Sequence, residues 1–201
     1  MLFPTSCPVC GARGPAPCRS CASALSPAPP LPGPFGLDRC AAVLAYEGTG
    51  RELVARLKYR NARAAVGPLA SAMAALLDRR DVDVVTWAPT TGARRGRRGF
   101  DQAELLARAV ARRLHRPCRR LLVRAAGPAQ TGRRAAVRRS GLRFLLRRDA
   151  RGARVVLVDD VVTTGATMRA AAFALREGGA VAVIGLAAAR TPPKRMSERV
   201  P

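Results

Sequence analysis

Lysine is nearly missing from this 201-residue chain: Lys58 and Lys194 are the only two among 36 basic residues. Acids are scarce as well, 13 against those 36, which leaves a formal charge of +23. Aromatic residues make up 4% of the chain and histidine occurs once, at His115. Each shortage excludes something. So few aromatic rings supply a poor platform for stacking the bases of a single strand. No apolar run reaches membrane length, so a spanning helix is not expected. No charged segment followed by a long apolar stretch opens the chain, which argues against a secretory leader and for a cytoplasmic protein. A phosphate held by a Walker lysine is not expected either, because G-x-x-x-x-G-K does not occur. No helix-turn-helix or RNA-recognition signature stands out.

Arginine is what the chain has in excess. From Arg112 to Arg154 there are many arginines and one acid, Asp149. Such a stretch is either a solvated basic face or a surface for polyanions, and binding of the second kind falls steeply with salt.

The most telling stretch is Val155 to Met168, Val-Val-Leu-Val-Asp-Asp-Val-Val-Thr-Thr-Gly-Ala-Thr-Met. Val155 to Val158 is a β-branched apolar run of the kind that forms a strand buried on both faces. Asp159 and Asp160 follow, then Val161 to Gly165 as a loop, then a helix from Ala166 to Arg176. In open α/β sheets a loop at the carboxyl end of a strand is where ligands bind. Backbone N–H groups at the start of the helix favour a phosphate there. Thr163, Thr164 and Thr167 can donate hydroxyl hydrogen bonds, and Gly165 lets the backbone approach closely. Asp159 and Asp160 suit the vicinal hydroxyls of a ribose, directly or through hydrated Mg²⁺. The plain alternative is two acids ending a strand and threonines capping a helix.

Residues Leu157 to Thr167 resemble the phosphoribosyl-pyrophosphate (PRPP) signature of type I phosphoribosyltransferases. The resemblance implies that Asp159 and Asp160 are catalytic and hold the ribose. It implies also that Thr163, Thr164, Gly165, Ala166 and Thr167 hold the 5-phosphate.

Four of the six cysteines, Cys7, Cys10, Cys18 and Cys21, form two C-x2-C knuckles separated by seven residues. Four thiolates can hold one Zn²⁺ tetrahedrally, and in a reducing cytosol this is favoured over the competing disulfide pairing. Without metal a segment of this size has almost no core of its own. Cys40 and Cys118 read as ordinary buried thiols. After the knuckles, Ser26 to Gly36 is rich in proline and reads as an extended, semi-rigid spacer. The division is therefore 1–25 for a zinc finger, 26–36 for a linker, 37–192 for an α/β domain and 193–201 for a tail.

Within the larger domain, strands are expected at Arg39 to Tyr46, Val82 to Trp87, Leu121 to Val123 and Val181 to Ala187. Helices are expected at Arg51 to Tyr59, Ala65 to Leu77 and Phe100 to Leu114. The alternation predicts a parallel sheet with helices on its faces. After the Val82 to Trp87 strand, Thr90 and Thr91 lead into Arg94, Arg95, Arg97 and Arg98, residues suited to meeting a pyrophosphate. A solvated basic loop is the alternative. His115, at a helix end, reads as a surface or capping residue.

Taken in order along the chain, several segments are similar to the ComF family of competence-associated proteins. They are the four cysteines, Leu57-Lys58-Tyr59, Pro89, Arg97-Arg98-Gly99-Phe100-x-Gln102, Gln130 and Leu157 to Thr167. The resemblance implies a type I phosphoribosyltransferase-like α/β fold with a small amino-terminal zinc knuckle, binding PRPP with Mg²⁺. It implies transfer of the 5-phosphoribosyl group with release of pyrophosphate, linked to DNA uptake. A PRPP sensor, or a component binding single-stranded DNA or a protein of the uptake machinery, is the alternative. The chain departs from the family in three places. Asp101 replaces an asparagine, Thr91 a proline, and Val137 to Gly141 lacks the usual Arg-x-x-Asn. Thr163 also stands where purine-salvage relatives carry a proton-handling acid, which argues against a hypoxanthine-guanine type of enzyme.

Overall fold

The computed structural model describes residues 6–30, 36–57, 64–91, 96, 99–125 and 142–192. Four parallel strands form the main sheet: β1 (Arg39–Ala45), β2 (Val84–Trp87), β5 (Arg154–Val162) and β6 (Ala182–Arg190), in the order β1-β6-β5-β2. A separate antiparallel ribbon joins β3 (Leu122–Arg124) to β4 (Phe144–Leu146). The helices are α1 (Arg19–Ser23), α2 (Gly48–Arg56), α3 (Val66–Ala74), α4 (Gln102–Leu114) and α5 (Ala166–Glu177). The expected α/β fold with a parallel sheet is what the chain adopts.

Parallel strands must be covered on both faces, and the two central ones are nearly all apolar for that reason. Val155 to Val158 are fully buried, as are Leu186 to Ala189. One face packs against α2, α3 and α4 through Leu53, Val54, Met73, Leu106 and Val110. The other packs against α5 and the β3–β4 ribbon through Met168, Ala171, Leu175, Leu122 and Phe144. Small residues along β6 let neighbours approach closely. A Cβ on Gly185 would stand 2.9 Å from both Cys40 Sγ and Leu37 Cδ1.

Both sheet edges are covered, which removes the open ladders that invite pairing with other chains. At β2, Val85 N–H donates to Pro117 O and Arg119 N–H to Val85 O, each at 2.9 Å. At β1, Ala28 N–H donates to Val43 O and Ala45 N–H to Ser26 O, again at 2.9 Å. Residues 26–28 of the proline-rich segment are thus extended, as expected, and docked on the sheet. The Ser26 carbonyl and the Ala28 N–H complete the edge ladder.

Other expectations shift at their ends. The strand expected over Val155 to Val158 runs on through both aspartates to Val162, because β6 continues beside it with Val161 opposite Ala189 and Val162 opposite Arg190. The connecting loop is therefore only Thr163 to Gly165. Helix α2 begins at Gly48, three residues early, and the end expected at Tyr59 lies outside the described residues. Strand β4 was not foreseen: Phe144–Leu146 is too short to show a period, and only its pairing with β3 defines it. His115 is the α4 C-cap, exposed and left-handed at φ 51°.

At the amino end of the β2–β5 pair, Asp83 accepts three hydrogen bonds from Arg154. They come from its main-chain N–H and Nη2 at 2.8 Å and from Nε at 3.0 Å. These bonds hold the Asp83 carboxyl down at about 2. A depressed acid stabilises the fold in full above the ordinary aspartate range, and the contribution is lost as pH falls toward the folded value. Urea unfolding of the wild type should therefore lose stability between about pH 4 and pH 2, and Asp83→Asn should flatten that slope.

Candidate functional site

The carboxyl ends of β5 and β2 lie side by side because the two strands are in register, Val158 opposite Trp87. One more ladder bond, Ala88 N–H to Val158 O at 3.0 Å, carries the pairing to the rim. The loop holding Thr90 and Thr91 therefore leaves the sheet beside Asp159, as an open α/β sheet requires of its ligand-binding loops.

Asp159 and Asp160 are half-buried at the end of β5. Asp159 Oδ1 accepts the Asp160 N–H at 2.9 Å, and Asp160 Oδ1 accepts the Val161 N–H at 2.8 Å. Among the described residues neither aspartate forms an ion pair. Burial pushes the Asp159 carboxyl well above the usual carboxylate range, and the adjacent Asp160 charge adds to the rise, with a smaller push from Asp101. Such a carboxyl gains from hydroxyl donors or a divalent cation, either of which would favour its ionised form.

After Val162 the chain turns through exposed Thr163 and Thr164 to Gly165, the N-cap of α5 at φ 72°. A β-carbon is disfavoured in that conformation, so glycine fits. The cap has no side chain to satisfy the first helical N–H groups, and the first turn carries no acid. Thr164 Oγ1 accepts the Ala166 N–H at only 3.4 Å. Asp159 and residues 161–168, Thr167 among them, line a cavity of about 30 Å³. Hydroxyls, a glycine and an uncapped twelve-residue helix suit an anionic oxygen cluster.

Asp101 differs from the two aspartates of β5. It is 3% exposed and caps α4, Oδ1 accepting the Ala103 N–H at 3.1 Å. Its Oδ2 accepts the Thr90 N–H at 2.8 Å. The Asp101 carboxylate is thus a clasp between helix α4 and the loop after β2. An asparagine could fill the cap but not receive the second N–H. Burial raises the Asp101 carboxyl despite these bonds. Arg94, Arg95, Arg97 and Arg98, expected at the pyrophosphate, lie outside the described residues, as do Lys58, Gln130 and Val137 to Gly141.

The amino-terminal cysteines come together. The Sγ atoms of Cys7, Cys10, Cys18 and Cys21 all lie within 4.8 Å of one another, and Cys10 and Cys18 are 3.6 Å apart. None is disulfide-bonded. Four sulfurs at zinc–sulfur distance on a tetrahedron are about 3.8 Å apart, so the set could hold such a metal. A tight turn closed by Gly11 N–H to Cys7 O at 2.9 Å presents the first pair, and α1, beginning after Cys18, presents Cys21. Burial, reinforced by the neighbouring thiols, pushes Cys21 up to about 12. Burial also acts on Cys7, but the backbone N–H groups of Cys18, Cys10 and Val9 outweigh it and draw that thiol down to about 6. Cys40 and Cys118 stand apart, each pushed up to about 11 by burial.

Residues that sequence reasoning missed stand on the same rim. Tyr46 N–H donates to Arg190 O at 2.6 Å and Thr191 N–H to Val162 O at 3.0 Å, so the ends of β1 and β6 meet the base of the threonine loop. No motif marks them, and only the strand register does.

Asp101→Asn should cost about 1 kcal/mol through the lost Thr90 bond while keeping the helix cap. It should also lower the Asp159 pKa by removing a nearby negative charge. Chemical denaturation reads the first effect and a carboxyl-carbon NMR titration the second.

Residues 101–199 match the family model described as a phosphoribosyl transferase domain. Comparison with curated proteins gives no match. Among solved structures, the chain is similar to an allosteric regulatory enzyme of purine biosynthesis, at 26% identity, over 63% of this chain and 26% of that one, with a TM-score of 0.45. It is similar to glutamine PRPP amidotransferase from B. subtilis, at 27% identity, over 62% of this chain and 26% of that one, TM-score 0.45. It is similar also to a purine phosphoribosyltransferase from Pyrococcus horikoshii Ot3, at 21% identity, over 63% and 74% of the two chains, TM-score 0.42. The chain spans about a quarter of the length of the first two, 26% in each case. The stretch that matches the phosphoribosyl transferase domain model takes in the Asp101 clasp, β5, the threonine loop and β6.

Proposed function

We propose that this protein binds PRPP with Mg²⁺ and transfers its 5-phosphoribosyl group with release of pyrophosphate. The observation that carries the reading is the order Asp159-Asp160, Thr163-Thr164-Gly165, uncapped helix α5, all at the carboxyl end of a buried strand. Asp159 and Asp160 would take the ribose hydroxyls, and Thr163 to Thr167 the 5-phosphate. Thr90 and Thr91, held beside β5 through the Asp101 clasp, would face the pyrophosphate together with Arg94, Arg95, Arg97 and Arg98. Mg²⁺, when bound, would share the pyrophosphate charge. Transfer of this kind passes through an oxocarbenium-like ribose, so two carboxylates beneath the sugar stabilise developing positive charge.

The similarity of the cysteine knuckles and of the Arg97 to Gln102 segment to the ComF family supports placing the protein with DNA uptake. The four gathered thiols support zinc as the metal they hold, and a cytoplasmic setting, where free thiols persist. The division into knuckle (1–25), linker (26–36), main domain (37–192) and tail (193–201) belongs to the same reading.

A second reading, PRPP sensing without turnover and with a DNA or protein partner, is favoured by one feature. Thr163 stands where an acid would handle the proton of a purine acceptor, and a threonine is a poor base near neutral pH.

Calorimetric titration of the metal-loaded protein tests the shared premise. PRPP should bind only with Mg²⁺, in the micromolar range, about −8 kcal/mol. Asp160→Asn should lose that binding and any pyrophosphate release while keeping its metal content. No binding by a well-folded wild type would sink both readings, and binding without release for any acceptor would favour the second.

A further inference from the structure

We propose that the cysteine knuckle is a working part of the ligand cleft, coupled to the threonine loop through residues 26–30 and the positioning residue Arg190. Residues 26–28 run antiparallel to β1, with Pro27 opposite Leu44. Followed backward from Pro27, the chain leaves the sheet beyond Ala45, at the carboxyl end of β1. Since all four strands are parallel, that is the rim holding Asp159, Thr163 and Thr90. Strand β1 is two places from β5, about 10 Å at ordinary strand spacing. Val9 and Leu25 pack from this side against the core that contains Leu44, Leu53 and Val54.

Arg190 joins the two ends of this path. It is the last residue of β6, opposite Ala45 of β1 and Val162 of β5. Its Nη1 donates to Pro29 O at 3.3 Å and to Pro30 O. Its own carbonyl accepts the Tyr46 N–H. Prolines 29 and 30 have no N–H with which to pair to β1, so the arginine supplies the donor that fastens them. The next residue, Thr191, donates to Val162 O, directly below Thr163. Metal at the knuckle thus keeps segment 26–30 on the β1 edge, and Arg190 ties that segment to the strand end supporting the threonine loop. Loss of metal frees the segment, uncovers the edge and loosens the loop's base.

Four amides report the path: Ala28, Ala45, Tyr46 and Thr191. Hydrogen exchange on the full metal-loaded chain should show Arg190→Ala speeding all four about tenfold, equivalent to about 1.4 kcal/mol, while Val156 to Val158 stay protected. Arg190→Lys, which still donates to carbonyls, should restore most of the protection. Ala28→Pro, which deletes the donor to Val43 O and leaves Arg190 and the cysteines intact, should reproduce the effect at Ala45, Tyr46 and Thr191 with metal retained. Chelation of the wild type should do the same. Unchanged exchange at these amides after both Arg190→Ala and chelation would overturn the coupling and leave the knuckle an independent appendage. The ligand arm rests on the PRPP reading: Arg190→Ala and Ala28→Pro should each weaken PRPP binding about tenfold, with rescue in Arg190→Lys. Undiminished PRPP affinity in both variants would overturn the coupling to the loop. A wild type that fails to bind PRPP would instead sink the functional reading, and the exchange result would stand without it.

Discussion

The register of β5 between β2 and β6 is the constraint on which the rest depends. Because β5 pairs in parallel on both sides, every loop leaving a carboxyl end emerges at one rim. Two adjacent carboxylates terminate the central strand there, the threonine turn follows directly, and the Ala88 bond to Val158 brings the next loop alongside. A slip of one residue would turn the buried valines of β5 to the opposite faces and break both cores at once. The interior that buries Val155 to Val158 therefore also sets the distance between the elements of the site.

The knuckle obeys a different economy. Residues 6–25 contribute few buried apolar side chains, Cys7, Ala16 and Cys21 being the only ones among the described residues. Their order comes from tight turns and, with metal, from thiolate bonds that take the place of a core. What this unit receives from the main domain is a surface for Val9 and Leu25. The segment that follows it, residues 26–28, covers the β1 edge.

Much of this was legible beforehand, and what was not shares one physical cause. The strand at Val155, the helix from Ala166 and the cysteine cluster are local: hydrophobic run, uncapped glycine start and ligand spacing each lie within a few residues. The role of Asp101 was not legible, because it depends on meeting Thr90, eleven positions earlier, and a buried cap and a metal ligand look alike in sequence. That the extended proline-rich segment docks on β1 was not legible for the same reason. Proline signals extended backbone, but whether that backbone stands free or completes a sheet edge is decided by β1. Strand β4 and Arg190 likewise acquire their meaning only through distant partners.

Charge operates here at two ranges. A chain at +23 presents a broad attractive field to polyanions, steering them from beyond contact and weakening with salt. At contact the sign reverses. Asp38, Asp83, Glu52 and Glu104 are paired with arginines, whereas Asp101, Asp159 and Asp160 accept main-chain N–H groups and, among the described residues, no guanidinium. Acidic side chains thus gather at the rim of a positive protein. A ligand that is anionic at both ends and rich in hydroxyls between them matches that arrangement. The surrounding field and the helix start favour its phosphates, and the carboxylates take the hydroxyls or a cation. A simple polyanion such as a nucleic-acid backbone gains from the outer field alone and is repelled at the carboxylates. On the proposed reading, the inner site would select for a sugar phosphate even on a surface whose overall charge would attract either.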